Sequence, residues 1–176
     1  MSAIKIWAVF DCTTYIQAML NPQGVAGECL DYAKRGDFVL VISPDVIEEV
    51  TATLQKPNLK KNFPRLTLEQ AEVFLAGVLR KAVNIRHVPV KFRYSRDPED
   101  EPYLNLAIVS NADYIVSRDN DLLDLMTSYS DECKEFRQRF RPLKVIAPME
   151  FLQLLREQGN ELGMEALLSG MGIALV

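Results

Sequence analysis

Carboxylates are the chemistry this sequence has to offer. Asp11 and Asp119 each stand just after a β-branched run, while Asp100 and Glu49 fall on or beside the apolar stripes of helical segments. Acids gathered with almost no His or Cys make an all-oxygen donor set, which suits Mg²⁺ or Mn²⁺ better than zinc. Such an ion polarises a phosphoryl oxygen, lowers the pKa of a water and steadies a leaving oxygen. Without a cation the same carboxylates would repel a phosphate. His87 is the sequence's one histidine, so a His-based metal site or a Ser/His/Asp triad has little to work with. Cys12, Cys29 and Cys133 are odd in number and widely spaced, and read as buried thiols rather than a disulfide framework or zinc set.

The elements that must position these acids follow from periodicity and capping. Residues 4–10 form a buried strand running into Asp11, and residues 38–42 form a second one. Helices are expected over 14–20 and over 25–34, the latter closed by Gly36. Ser43-Pro44 pairs an N-cap with proline at the first helical position and opens a helix to about residue 55. Thr67-Leu68-Glu69-Gln70 is a capping box for a helix to about residue 81, followed by a short strand near 83–88. A helix over 102–110, strands over 114–117 and 144–146, and a helix from Pro148 complete the pattern. Strands alternating with helices imply an α/β sandwich around a mostly parallel sheet, whose site lies outside the carboxyl ends of the strands. Residues 1–155 are expected to form the domain. Residues 156–176 should add a helix and apolar tail that packs on the domain or on another chain, a homodimer included.

In that frame Asp11 and Asp119 emerge at the same sheet edge, although an Asp in a loop is as readily a turn or cap residue. Asp100 is spaced i+4, i+7 and i+8 from Leu104, Ala107 and Ile108, which puts a carboxylate on the apolar stripe of the helix it precedes. Burying that charge is costly unless a partner or cation meets it. The plainer alternative is that Asp100 or Asp97 caps the helix. Val46, Ile47, Val50 and Leu54 define the apolar face of the third helix. Glu49 lies roughly 115° from that face's centre and Glu48 roughly 145°, so Glu49 is the flank residue able to turn inward.

Net charge of −4 argues against a protein that coats itself with nucleic acid, but it hides an asymmetry. Residues 56–96 hold ten Lys or Arg against Glu69 and Glu72, a surplus of +8, which leaves −12 for the rest of the chain. A basic segment beside an acidic cluster suits an enzyme acting on phosphates, and a solvated helical face would look similar. The apolar content of 48% over 176 residues supports one real core. Apolar runs are far shorter than a membrane span, and the N-terminus has no basic, apolar and cleavable leader pattern, so the expected location is the cytoplasm.

Four acidic motifs then carry a family resemblance. Val9-Phe10-Asp11-Cys12-Thr13, Ser43-Pro44-Asp45-Val46-Ile47-Glu48-Glu49-Val50, Asp97-Pro98-Glu99-Asp100, and Ala112 through Asp119-Asn120-Asp121-Leu122-Leu123 resemble the PIN domain in order and spacing. Ile146-Ala147-Pro148-Met149-Glu150-Phe151-Leu152 is similar to the closing strand and helix of its VapC-like branch, the toxins of toxin–antitoxin systems. The resemblance covers about residues 4–155. It implies a PIN-like α/β/α sandwich and a Mg²⁺- or Mn²⁺-dependent ribonuclease, with RNA as substrate and a small antitoxin protein as partner. It also implies Asp11, Glu49, Asp100 and Asp119 as metal-site acids, Asp121 as a fifth candidate, and Ser117 in a supporting position. Where many members have Asp-Thr-Asn, this chain has Asp11-Cys12-Thr13, and Thr13 keeps a hydroxyl that could orient Asp11.

Two rival readings accompany this one. A receiver-like or haloacid-dehalogenase-like phosphotransfer domain also places acids at strand ends, but needs paired acids after the first strand, where Asp11-Cys12-Thr13 supplies one. A PIN domain used as an RNA- or protein-binding module, with weak or no hydrolysis, differs in class and is separated only by assay.

Overall fold

The computed structural model describes residues 5–170. Strand β1 (Trp7–Phe10) is followed by helices α1 (Cys12–Leu20) and α2 (Val25–Arg35), then by β2 (Val39–Ile42). Helices α3 (Pro44–Leu54), α4 (Pro57–Asn62) and α5 (Leu68–Leu79) lead to a two-residue β3 (Val83–Asn84). A 3₁₀ turn (Pro98–Asp100) enters α6 (Glu101–Val109), followed by β4 (Tyr114–Val116) and α7 (Asn120–Thr127). Helix α8 (Asp131–Arg139), β5 (Lys144–Ile146) and α9 (Pro148–Gly170) close the order. The five strands are ordered β3-β2-β1-β4-β5 and every pairing is parallel. The expected α/β architecture is therefore present, with a sheet wholly rather than mostly parallel among the described residues.

The strand order matters because the chain builds outward from β1 in both directions. Residues after β1 lead to β2 and β3 on one side, and later residues return to β4 and β5 on the other. The junction between β1 and β4 is thus the switch point, where diverging connections leave a crevice. Behind it the core is aromatic: the Phe38 and Phe151 rings meet edge to face with centroids 5.0 Å apart, and Phe10 packs on both. Gly27 is needed where α2 meets the preceding turn, because a Cβ there would lie 2.1 Å from the Pro22 carbonyl oxygen.

Several local expectations differ from the structure. The first strand starts at Trp7 rather than at residue 4, which lies outside the described residues, and the strand near 83–88 shrinks to Val83–Asn84. Helix α1 begins two residues early because the Asp11 side chain caps it. Helices α4, α7 and α8 have no counterpart in the sequence reading. Helix α4 buries no residue and α8 buries only Cys133 and Phe136, so neither shows a readable apolar stripe. Helix α9 runs unbroken past residue 155, and beyond Leu155 the described side chains are exposed except Gln158, which is half-buried. The apolar tail of residues 171–176 lies outside the described residues.

Candidate functional site

The register of β1 on β4 sets Phe10 beside Val116, so the residues just beyond the two strands leave the sheet side by side. The Asp11 amide donates to the Val116 carbonyl at 3.2 Å, which fixes the start of the connection. Asp11 is 3% exposed. Its Oδ1 accepts from the Thr14 amide at 2.7 Å, and its Oδ2 accepts from the Ser117 hydroxyl. Ser117 Oγ in turn accepts from the Asp119 amide at 2.8 Å, so one hydroxyl joins the two acid-bearing loops. Burial raises the Asp11 pKa, hydrogen bonds from Ser117 and Thr14 oppose the rise, and the Asp119 charge adds to it.

Asp100 resolves the choice left open between cap and stripe. Asp97 is the cap: its Oδ1 accepts from the Glu99 amide at 3.0 Å. Asp100 occupies the N-cap position of α6, yet its side chain makes no capping hydrogen bond. It is buried at 7% exposure, and its Oδ2 has no hydrogen-bond partner. An unpaired buried carboxylate is the feature native structures avoid most consistently. Its pKa is pushed up to about 7, first by burial and then by the charges of Asp97, Asp119, Asp11 and Asp121. Those like charges place Asp100 in the same field as the acids after β1 and β4.

Glu49 reaches the site from α3, half-buried, while Glu48 is exposed. The Tyr103 hydroxyl donates to Glu49 Oε2 and accepts from the Cys12 amide at 3.1 Å. Tyr103 is 2% exposed, so one phenol ties α6, α3 and the start of α1 together. Burial raises the Glu49 pKa, the Tyr103 hydrogen bond opposes this, and the charges of Asp11 and Glu99 add to it. The Lys56 ammonium acts in the opposite sense.

The other expected residues are placed less centrally. Asp119 is exposed, and its Oδ1 caps α7 by accepting from the Asp121 amide at 2.8 Å. Asp121 pairs with Arg96 at 2.6 Å, and the same guanidinium reaches Asp124 at 2.8 Å. Thr13 is exposed and makes none of the hydrogen bonds to Asp11, which come from Thr14 and Ser117. The sequence reading missed Thr14 and Tyr103. The signal for Tyr103 was its place at i+3 from Asp100, on the same buried stripe, because a buried tyrosine hydroxyl needs a partner.

The donor chemistry fits a divalent cation: oxygens only, with one of them buried and unpartnered at Asp100. Asp100, Asp119, Asp11 and Glu49 are the residues that would hold it. Among the described residues no three His, Cys, Asp or Glu side chains already converge as a metal cage. Asp11 has both oxygens engaged, though an ionised carboxylate has about four acceptor positions and can serve two masters.

Acids at the switch point of a parallel α/β sheet mark a class of domain that binds ligands at its strand ends. The comparisons with known proteins then fix the family. The PIN domain pattern matches residues 8–121, a span that contains all four motif acids. The chain is also 30% identical over 153 residues to the uncharacterized protein MJ1680 of Methanocaldococcus jannaschii, an alignment covering 87% of this chain and 94% of that one. The chain belongs to the PIN domain family, whose members are generally nucleases that use divalent metal ions. Among the described residues no helix is long and apolar enough to cross a membrane.

Proposed function

We propose that this protein is a Mg²⁺- or Mn²⁺-dependent endoribonuclease that hydrolyses RNA phosphodiester bonds with Asp11, Glu49, Asp100 and Asp119. The observation that carries the reading is Asp100, a buried carboxylate with an oxygen left without a partner in the field of four other acids. A bound divalent ion supplies Lewis-acid polarisation of the phosphoryl oxygen and a lowered pKa for water. The chain's residues supply the rest. Ser117 and Thr14 hold Asp11 in one orientation, and Tyr103 holds Glu49. The basic segment begins at Lys56, whose charge lowers the Glu49 pKa, and continues through Lys60, Lys61 and Arg65, all exposed, which suits guidance of an RNA backbone toward the acids. Resemblance of the motifs to the VapC-like branch supports a toxin role in the cytoplasm, with a small antitoxin as partner.

A second reading has one observation in its favour. With both Asp11 oxygens engaged and Asp121 held by Arg96, the acids stand tied to the protein rather than converged on one point. A binding module with weak or no hydrolysis would look like this. Incubating the protein with total RNA and Mn²⁺ tests both: cleavage that EDTA abolishes and Asp100→Asn removes is expected. RNA that stays bound and intact would establish the module instead.

A further inference from the structure

Of the chain's eight phenylalanines only Phe63, just after α4, is exposed. Leu59 and Leu66 on either side of it pack on the core, whereas the Phe63 ring does not. The backbone that carries the ring is nonetheless fixed. The Phe63 amide donates to the Leu59 carbonyl at 2.8 Å, and the Phe63 carbonyl accepts from the Leu66 amide at 2.9 Å across Pro64. The ring lines a cavity of about 390 Å³ with Met19, Leu20, Asn62, Arg65 and Gln70, and no acid is in the lining. Residues 56–68 hold Lys56, Lys60, Lys61 and Arg65 without one Asp or Glu. Among the described residues none of these four cations enters an ion pair. The adjoining depression along α5 shares Met19 and Gln70 but is lined by Glu69, Val73 and Phe74, so the basic surface ends there.

We infer that Phe63 is a platform on which an unpaired base of single-stranded RNA stacks, a subsite that rests on the ribonuclease reading above. Every nucleobase offers a π face to an aromatic ring, and the Arg65 guanidinium adds a second flat, cationic surface in the same cavity. Lys60 and Lys61 supply phosphate partners next to the ring. Gln70 spends its Oε1 on the Thr67 amide at 3.0 Å, which leaves its NH₂ to donate to a base edge, and Asn62 offers both a donor and an acceptor. A base inside a duplex has both faces covered, so the platform selects single strands. The volume lies at the low end for ligand pockets, which suits one base better than the row of anchors that a docked peptide helix needs. Helix α1 connects the subsite to the acids. It starts at Cys12, whose amide donates to the Tyr103 hydroxyl that holds Glu49, and ends at Leu20 in the cavity lining. Its length of about 12 Å puts a strand anchored at Phe63 within a few nucleotides of the acids.

Fluorescence anisotropy of the full-length protein with a labelled oligoadenylate, run in EDTA, reads binding apart from cleavage. Phe63→Ala and Phe63→Leu should each weaken binding by roughly tenfold and leave its salt dependence unchanged, because no charge is lost. Phe63→Trp should bind as tightly as the wild type or tighter, which an apolar contact alone would not predict. A strand of equal length built from abasic ribose-phosphate units should bind wild type and Phe63→Ala alike, and so should an RNA duplex. Melting temperatures should match the wild type throughout, since the ring is exposed. Equal oligoadenylate binding by wild type and Phe63→Ala, an equal loss on the abasic strand, or no binding by the wild type overturns the inference, and the exposed ring would then belong to a protein-docking face. Cleavage of total RNA with Mn²⁺ is scored separately. A wild type that cleaves while Phe63→Ala binds normally loses the platform and keeps the ribonuclease, whereas a base-dependent loss in a protein that never cleaves keeps the platform and loses the ribonuclease.

Discussion

An aspartate stands at each end of the sheet, and the two are treated in opposite ways. At the amino ends of the strands, Asp113 Oδ2 accepts from the Trp7 amide at 2.8 Å, and its own amide donates to the Trp7 carbonyl at 2.8 Å. The Asp113 carbonyl accepts from the Lys144 amide at 3.0 Å, so this residue stitches β1, β4 and β5 together. At the carboxyl ends, Asp100 is buried with an oxygen that nothing satisfies, and like charges surround it. The same residue type closes hydrogen bonds at one end and leaves one open at the other. Departures from complete polar satisfaction mark functional sites, where a ligand rather than the fold meets the need.

The largest test of that contrast is a double dissociation. Asp100→Asn keeps the size of the side chain but removes a charge, and should cut RNA cleavage by roughly 100-fold or more without lowering the metal-free melting temperature. Asp113→Ala should do the reverse, costing about 1–3 kcal/mol of stability through orphaned backbone partners while the folded enzyme keeps its turnover. Asp97→Asn keeps an oxygen that can accept from the Glu99 amide, so the cap survives, and both stability and cleavage should stay largely intact. An inactive Asp97→Asn beside an active Asp100→Asn would move the site to Asp97.

Metal should repair the unsatisfied end alone. Mn²⁺ or Mg²⁺ at about 100 times its dissociation constant should stabilise the folded state by about 2.7 kcal/mol, seen as a rise in melting temperature. Asp11→Asn/Asp119→Asn should lose most of that rise, and Asp113→Ala should keep it. Equal shifts in all three proteins would detach metal binding from this end of the sheet.

Tyr103 gives a smaller effect because it acts through Glu49. Tyr103→Phe removes the hydroxyl that holds Glu49 and receives the Cys12 amide. Loss of an outer hydrogen bond of this kind costs about tenfold in metal affinity or activity. The metal-induced rise in melting temperature should shrink with it, whereas a purely structural tyrosine would lower the baseline melt and leave that rise unchanged.

The same contrast explains what the sequence could and could not reveal. Buried strands and proline- or glycine-marked helix ends are local, so β1, β2, β4 and the cap at Ser43 could be read directly. The burial of Asp100 was legible because a carboxylate on an apolar stripe is a local contradiction. Partners distant in sequence were not: Ser117 reaches Asp11 across 106 positions and Tyr103 reaches Glu49 across 54. Thr13 was named because it stands third in the first motif, whereas the path of α1 turns Thr14 inward and leaves Thr13 exposed. Helices α4 and α8 escaped because they bury too little to impose a period.

The pH dependence of stability carries the comparison to its finest grain. Asp100 has a folded-state pKa of about 7 against an ordinary value of 3.8. Well below pH 4 it is protonated in both states and contributes no difference. As pH rises toward 7 the unfolded chain has released the proton while the folded protein still holds it, so stability falls across that window. Above it the penalty is fully developed and constant. Burial raises the pKa of Asp11 and Glu49 as well, so their contributions share the sign. Melting temperatures in EDTA should therefore decline from about pH 5 to about pH 7.5, and Asp100→Asn should make that decline shallower. About 1 kcal/mol moves melting by roughly 2–4 °C in a chain of this size, which sets the resolution required. Saturating Mn²⁺ should flatten the wild-type profile near neutrality, because an opposite charge favours the ionised carboxylate. Parallel slopes for wild type and Asp100→Asn would mean that water or a protein donor already satisfies Asp100, and the contrast between the two ends of the sheet would collapse.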